Sequence, residues 1–247
     1  MNARFQSLRV HEVEPVGEYA LLRVERGAID PGQPGQLFML RAESLLLPRP
    51  MSLCLAPPGE LAFLIDTIGP GTAALASLAA GEELHVFGPL GHGFPTDAGD
   101  PVLVGGGIGI APLPYLSHCL GEPPALLGFR SPAYAAVAAL VPNAEIVIDP
   151  VRVTEPLSEL LERKPSLTPL GCGPAPMLEA LARLAPTSWL AHEAPMACGY
   201  GACYGCVVEI DGELKRLCIE GPTVRADRLW PTSSACESER TEMELVT

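Results

Sequence analysis

Residues 102–112 read VLVGGGIGIAP, a short aliphatic run that ends in consecutive glycines and reopens on the helix-compatible APLPYLSHCL. Strand, glycine turn and helix in that order form the unit that lays a diphosphate against backbone N–H groups at a helix N-terminus. The spacing is not the dinucleotide fingerprint G-x-G-x-x-G, because the third glycine of either frame falls on Ile110 or Pro112. Gly105, Gly106, Gly107 and Gly109 are candidate ligand-facing backbone positions, with a merely tight turn as the alternative. Downstream the texture repeats: ALLGF at 125–129, an Ala-rich helical stretch, IVI at 146–148, and a strand, turn and helix from 168 through Gly171-Cys172-Gly173 to PAPMLEALARLA. Strands alternating with helices predict a parallel α/β sheet over residues 99–186. Two glycine turns at the carboxyl ends of its strands imply one shared crevice.

Upstream, β-compatible segments at 21–25, 37–41, 53–55, 61–67 and 84–87 are separated by Gly/Pro turns such as PGQPG and APPGE, with a short helix over 73–79. This pattern predicts an antiparallel barrel or sandwich over residues 1–98, with DAGDP at 97–101 as the boundary. Two stretches carry chemistry. In Arg49-Pro50-Met51-Ser52 the guanidinium can neutralise a phosphate and the hydroxyl can donate to one; in Gly69-Pro70-Gly71-Thr72 the last two residues head a helix. A surface ion pair and a turn hydroxyl are the plain alternatives for Arg49 and Ser52.

Beyond residue 186 the chain becomes Gly- and Cys-rich, a third segment over 187–247. Cys198, Cys203, Cys206 and Cys218 are spaced C-x4-C-x2-C with a fourth Cys after eleven intervening residues, the plant-type [2Fe-2S] pattern. Four thiolates must wrap a small inorganic cluster, so three sit on one tight loop and the fourth arrives from elsewhere. Zinc held by four cysteines is the competitor, but its usual pattern has two C-x2-C pairs and only one is present. Strand candidates at 206–210 and 213–217 meet at Asp211-Gly212, a hairpin signal. Cys54, Cys119 and Cys236 read as packing or tail residues, and the acidic end from residue 232 as a loosely held tail.

The 247 residues are 48% hydrophobic and carry a net charge of -13, which excludes global disorder and disfavours nucleic acid or an anionic membrane as partner. The start, MNARFQSLRVHEVEP, has no apolar core after its basic residues, and no apolar run reaches membrane-spanning length. The expectation is a cytoplasmic protein, where clustered cysteines serve as ligands rather than as a disulfide framework.

RPMS at Arg49, GPGT at Gly69, GPLGHGF at Gly88, GGGIGIAP at Gly105, GCGPAPML at Gly171 and MACGYGACYGCVV at Met196 occur in the order and spacing of one family. Over residues 5–230 the chain resembles the ferredoxin-NADP reductase superfamily, and within it the electron-transfer subunits of class 1B dihydroorotate dehydrogenase. The resemblance implies a multidomain α/β plus β architecture: an FAD-binding antiparallel β-barrel, a parallel α/β nucleotide-binding domain for NAD, and a small C-terminal [2Fe-2S] domain. It implies FAD contacts from Arg49, Pro50, Met51, Ser52, Gly71 and Thr72, and further contacts from Leu64, Ile65 and Asp66. There the chain departs, since relatives often carry an aromatic residue followed by Arg where Ile65 and Asp66 stand. It also lacks the Thr-Asp-Asp-Gly-Ser-type loop that many relatives carry after the 146–148 strand. By the same resemblance Cys172 lies beside the nicotinamide-flavin contact, with a packed thiol as the alternative.

The activity so implied is oxidoreductase electron transfer: electrons pass from an FMN-containing catalytic subunit that oxidises dihydroorotate, through the [2Fe-2S] cluster and FAD, to NAD, in a heterotetramer with two of each subunit. Met196, Tyr200 and Tyr204 are expected at the partner interface or packed about the cluster. Arg130 and Ser131 are expected at the adenosine end of the nucleotide or on plain surface. The competing reading keeps the chemistry and changes the partner: a reductase subunit of a hydrogenase, a sulfur reductase or a ferredoxin-dependent transhydrogenase.

Overall fold

The computed structural model describes residues 3–230; the tail from residue 232, with Cys236, lies outside the described residues. Six strands close an antiparallel barrel in the order β1-β2-β5-β4-β3-β6: β1 (Arg4–Val16), β2 (Tyr19–Glu25), β3 (Leu37–Ala42), β4 (Arg49–Leu55), β5 (Glu60–Ile65) and β6 (Glu83–Leu90). Helix α1 (Pro70–Ala76) stands between β5 and β6. The pleat explains β5, ELAFLI: Leu61, Phe63 and Ile65 fill the barrel, while Ala62 and Leu64 face the second domain. Inside, the Phe38 and Phe63 rings meet edge to face at 5.6 Å, and both are fully buried.

The second unit runs β7 (Asp100–Gly106), a 3-10 turn over Gly107–Ile110, α2 (Leu113–Cys119), β8 (Ala125–Phe129), α3 (Pro132–Ala135), β9 (Ala144–Ile148), α4 (Thr154–Arg163), β10 (Leu167–Cys172), α5 (Ala175–Leu184) and β11 (Trp189–Ala191). The Ala-rich stretch forms only α3 and a 3-10 turn, Ala136–Leu140. Thr154–Arg163, which follows the missing loop, is an amphipathic helix whose Leu157 is fully buried.

After the cysteine loop come the hairpin β12 (Val207–Ile210) and β13 (Glu213–Arg216), then α6 (Leu217–Glu220), β14 (Thr223–Arg225) and α7 (Ala226–Leu229). Asp211 and Gly212 take φ values of 56° and 73°, as a two-residue type I′ turn requires. The α/β sheet does not stop at residue 186. Its order is β14-β11-β10-β7-β8-β9, so both β11 and the antiparallel edge strand β14 belong to it. Each has only three residues, too few to show a period in sequence.

That return of the chain fixes the three parts together. The backbone N–H of His92, at the barrel exit, donates to the Gly221 carbonyl at 2.5 Å, and the N–H of His192 donates to the Pro222 carbonyl at 2.9 Å. Residues 221–223 are thereby held between barrel and sheet. Among the described residues no helix is long and apolar enough to cross a membrane.

Because Phe63 has no solvent exposure and its loss would leave a cavity in the barrel core, Phe63→Ala is expected to destabilise the barrel by about 3–5 kcal/mol. Leu46→Ala, at a side chain 92% exposed, is expected to be near neutral. Urea melts followed by tryptophan and far-ultraviolet signals check the pair.

Candidate functional site

Two crevices open where barrel and sheet meet. The first, about 270 Å³, takes Arg49, Pro50, Met51, Ser52, Leu64, Asp66 and Thr72 from the barrel, Ile108, Gly109 and Cys172 from the two glycine turns, and residues 191–194 with Met196 from the linking segment. The RPMS residues belong to β4 rather than to a turn, so the strand's pleat aims them. The Arg49 guanidinium lies across the first turn of α1: a Cβ at Gly71 would overlap its Nε and Cζ. Arg49 is steadied by donating from Nη1 to the carbonyl of Leu47 at 2.8 Å. A guanidinium beside the unpaired N–H groups of a helix start is a donor set suited to a diphosphate, and the crevice floor is apolar enough for a flavin ring.

Two expected contacts are placed elsewhere. Ile65 is fully buried in the barrel core, because on β5 it has the parity opposite to Leu64 and Asp66. Gly105 is sealed beneath its turn against Leu113, Ile110 and Leu127.

The second crevice, about 680 Å³, is lined by Gly106, Gly107, Gly128, Arg130, Tyr134, Asp149, Arg152, Pro174 and Met177, with Tyr19 and Asp66 contributed by the barrel. Asp149, Val151, Arg152, Val153 and Thr154 form one of its walls. The Arg130 guanidinium stacks 3.9 Å from the centre of the Tyr134 ring, which meets Tyr19 edge to face at 5.5 Å. Burial, then the charge of Asp66, pushes the Tyr19 hydroxyl up to about 12. Ser131 does not line this crevice. The two glycine turns touch, since a Cβ at Gly109 would strike the backbone of Gly173. Asp66 lines both crevices and marks their junction.

Cys172 is 3% exposed, and burial with the charge of Glu193 drives its thiol far up, so it stays neutral. Glu193 itself is raised by burial among the crevice walls, and His192 is lowered by the same cause. Sequence reasoning missed both, because residues 192 and 193 carry no motif of their own and follow a strand of only three residues.

The Cys206 thiol donates to Cys218 Sγ at 3.3 Å, and the Gly205 N–H donates to Cys203 Sγ at 3.5 Å. Burial raises Cys198, but the backbone N–H groups of Cys203, Tyr200 and Ala202 outweigh it and bring the thiol down to about 7. Burial, then Cys206, pushes Cys218 up to about 12. Among the described residues no three His, Cys, Asp or Glu side chains converge on one point. Backbone N–H groups gathered about the Cys198 sulfur, together with the C-x4-C-x2-C spacing, suit a two-iron cluster better than a zinc ion, whose usual sites combine two C-x2-C pairs.

A family model described as the iron-sulfur cluster binding domain of dihydroorotate dehydrogenase B matches residues 193–230. The dihydroorotate dehydrogenase B (NAD(+)) electron transfer subunit of Geobacillus thermodenitrificans is 36% identical over 220 residues, covering 80% of this chain and 85% of that one. The chain belongs to this family of electron transfer subunits. The Clostridium perfringens member is 30% identical, over 76% of this chain and 83% of its own. Among solved structures, an NADH-dependent reduced ferredoxin-NADP oxidoreductase aligns with a TM-score of 0.78 at 21% identity over 96% of both chains. Phthalate dioxygenase reductase aligns at 0.61 and 14% identity, over 83% of this chain and 86% of its own. These two show the fold of the chain.

For Glu193 the folded pKa lies above the unfolded one, so its ionisation costs stability. That cost is absent below the unfolded value, grows as pH rises between the two values, and is full above the folded one. Glu193→Gln is therefore expected to raise the melting midpoint at pH 7, with the difference from the parent chain closing as pH approaches about 4. Thermal melts across that range check it.

Proposed function

We propose that this chain carries electrons from a dihydroorotate-oxidising, FMN-containing catalytic subunit to NAD, with FAD in the first crevice, the nicotinamide nucleotide in the second and a [2Fe-2S] cluster on the cysteine loop. Residues 1–98, 99–186 and 187–247 then serve one carrier each, although β11 and β14 share the middle sheet. One observation carries the reading. Met196, two residues before the first cysteine, lines the first crevice and also packs in the apolar cluster beneath the thiols. A single side chain thus spans the gap between the two carriers.

Bound together, the nicotinamide and flavin exchange a hydride and the flavin and cluster exchange single electrons, which lets one chain join two-electron to one-electron chemistry. The protein supplies position and dryness. Arg49 and the start of α1 would hold the negative diphosphate, and Ser52 and the buried Cys172 line the same crevice. Cys172, neutral at physiological pH, adds no charge there, and Glu193 is the ionisable group beside it. Gly106 and Gly107 let the backbone of the first turn approach the dinucleotide, and Arg130 stacked on Tyr134 offers a planar cation at the far wall. Backbone N–H groups of residues 200, 202 and 203 stabilise negative charge on the Cys198 sulfur.

Two measurements test this. Cys203→Ser is expected to abolish the reduced-cluster resonance while flavin absorption persists; an unchanged resonance contradicts the ligand assignment. Co-expression with the catalytic subunit is expected to give a complex, two of each chain, that reduces NAD with dihydroorotate. Assembly only with a hydrogenase or sulfur reductase subunit would favour the competing partner.

A further inference from the structure

The loop that carries Cys198, Cys203 and Cys206 belongs to no helix or strand, so its shape depends on what holds it from outside. Gly199 and Gly201 take φ values of 77° and 81°, and Tyr204 takes 55°, a left-handed conformation that a residue with a side chain adopts at a cost. One side chain from the hairpin reaches both halves of this loop. Arg216, the last residue of β13, donates from Nη1 to the Gly201 carbonyl at 3.1 Å, and its guanidinium lies 5.2 Å from the centre of the Tyr204 ring. Gly201 stands between the first and second cysteines, and Tyr204 between the second and third.

On its other side the guanidinium is tied to the fourth cysteine. Nη2 donates to Glu220 Oε1 at 2.8 Å, and the Arg216 backbone N–H donates to Glu220 Oε2 at 2.8 Å, so the carboxylate closes over the turn that presents Cys218. An ion pair four residues apart on a solvated helix contributes little by itself. Here α6 is a single turn of four residues, the pair is 29% and 32% exposed, and the same cation also bonds the cysteine loop. The bond to Glu220, then its charge and those of Tyr204 and Cys218 when ionised, favour the charged guanidinium. Lys215, the neighbouring cation, pairs with Glu213 instead.

We propose that Arg216 is the positioning residue of the thiol cage: its guanidinium ties the three-cysteine loop to the turn that delivers the fourth ligand, and its charge, offset by Glu220, tunes the reduction potential of the cluster held there. The inference rests on the [2Fe-2S] assignment above. An electron delivered to a cluster adds negative charge among its sulfurs, so a cation held nearby favours the reduced state and an anion disfavours it. Because the Arg216–Glu220 pair is neutral as a unit, removing either charge alone exposes the other.

The test is an anaerobic reductive titration of the purified, cofactor-loaded chain with dithionite and redox mediators. The midpoint potential of the cluster is read from its paramagnetic resonance, and its release to an iron chelator is timed in parallel. Glu220→Gln is expected to raise the potential. Arg216→Gln is expected to lower it and to release the cluster about tenfold faster, the worth of one charge-assisted hydrogen bond. Arg216→Lys, which keeps the charge but not the fork, is expected to hold the potential near the parent value and still release the cluster faster. Glu145→Gln, an equal charge change on β9, is expected to alter neither readout. If the two glutamine variants at 216 and 220 move the potential the same way, or neither moves it, the proposal is overturned and the cluster assignment stands. Should Arg216→Gln retain no cluster, Glu220→Gln decides, and a potential no higher than the parent's overturns the proposal. A parent chain without a reduced-cluster resonance overturns the assignment and this inference with it.

Discussion

The contact on which the arrangement depends is the seating of the cysteine loop on the outer barrel wall. Met39 and Leu90 of that wall lie directly beneath Gly199, whose φ of 77° and lack of a side chain let the loop approach; a Cβ there would overlap Met39. Met196 packs into the same apolar cluster as Leu37, Met39 and Leu90. The loop's far end is secured by the clamp on residues 221–223 and by β14 pairing with β11. Were this seating lost, the thiols would be carried away from the crevice and no route between carriers would remain.

With the loop fixed, the two crevices follow from how barrel and sheet meet. Leu64 and Tyr19, on the barrel's outer side, join the core of the α/β domain, so the two parts share one interior rather than touching at a wet interface. Asp66 at the junction of both crevices and the contact of Gly109 with Gly173 bring the ligands expected on either side into reach of each other. A buried, neutral thiol at Cys172 is consistent with a site that excludes water around the reacting groups.

Much of this was legible in the sequence, for a local reason. The cysteine spacing, the Asp211-Gly212 hairpin and the turns that delimit the barrel strands each act over a few residues, and the resemblance of the ordered motifs supplied the family. What escaped depended on distant contacts. Glu193 and His192 matter only because three chain segments close around them, and β14 is a strand only because β11 is there to pair with it. Ile65 is a different case: alternation along β5 alone sends it inward, apart from Leu64 and Asp66. Gly105 lies under Leu113 and Ile110, a contact with the segment that follows and one the glycine run itself does not show.

Whether one chain joins hydride chemistry to a one-electron carrier can be read from an anaerobic titration of the purified chain with NADH, followed by visible absorption and electron paramagnetic resonance. The flavin is expected to bleach and the resonance of a reduced [2Fe-2S] cluster to appear in the same titration. A colourless, zinc-containing protein, or a flavin that bleaches while no cluster resonance develops even with a strong chemical reductant, would contradict it.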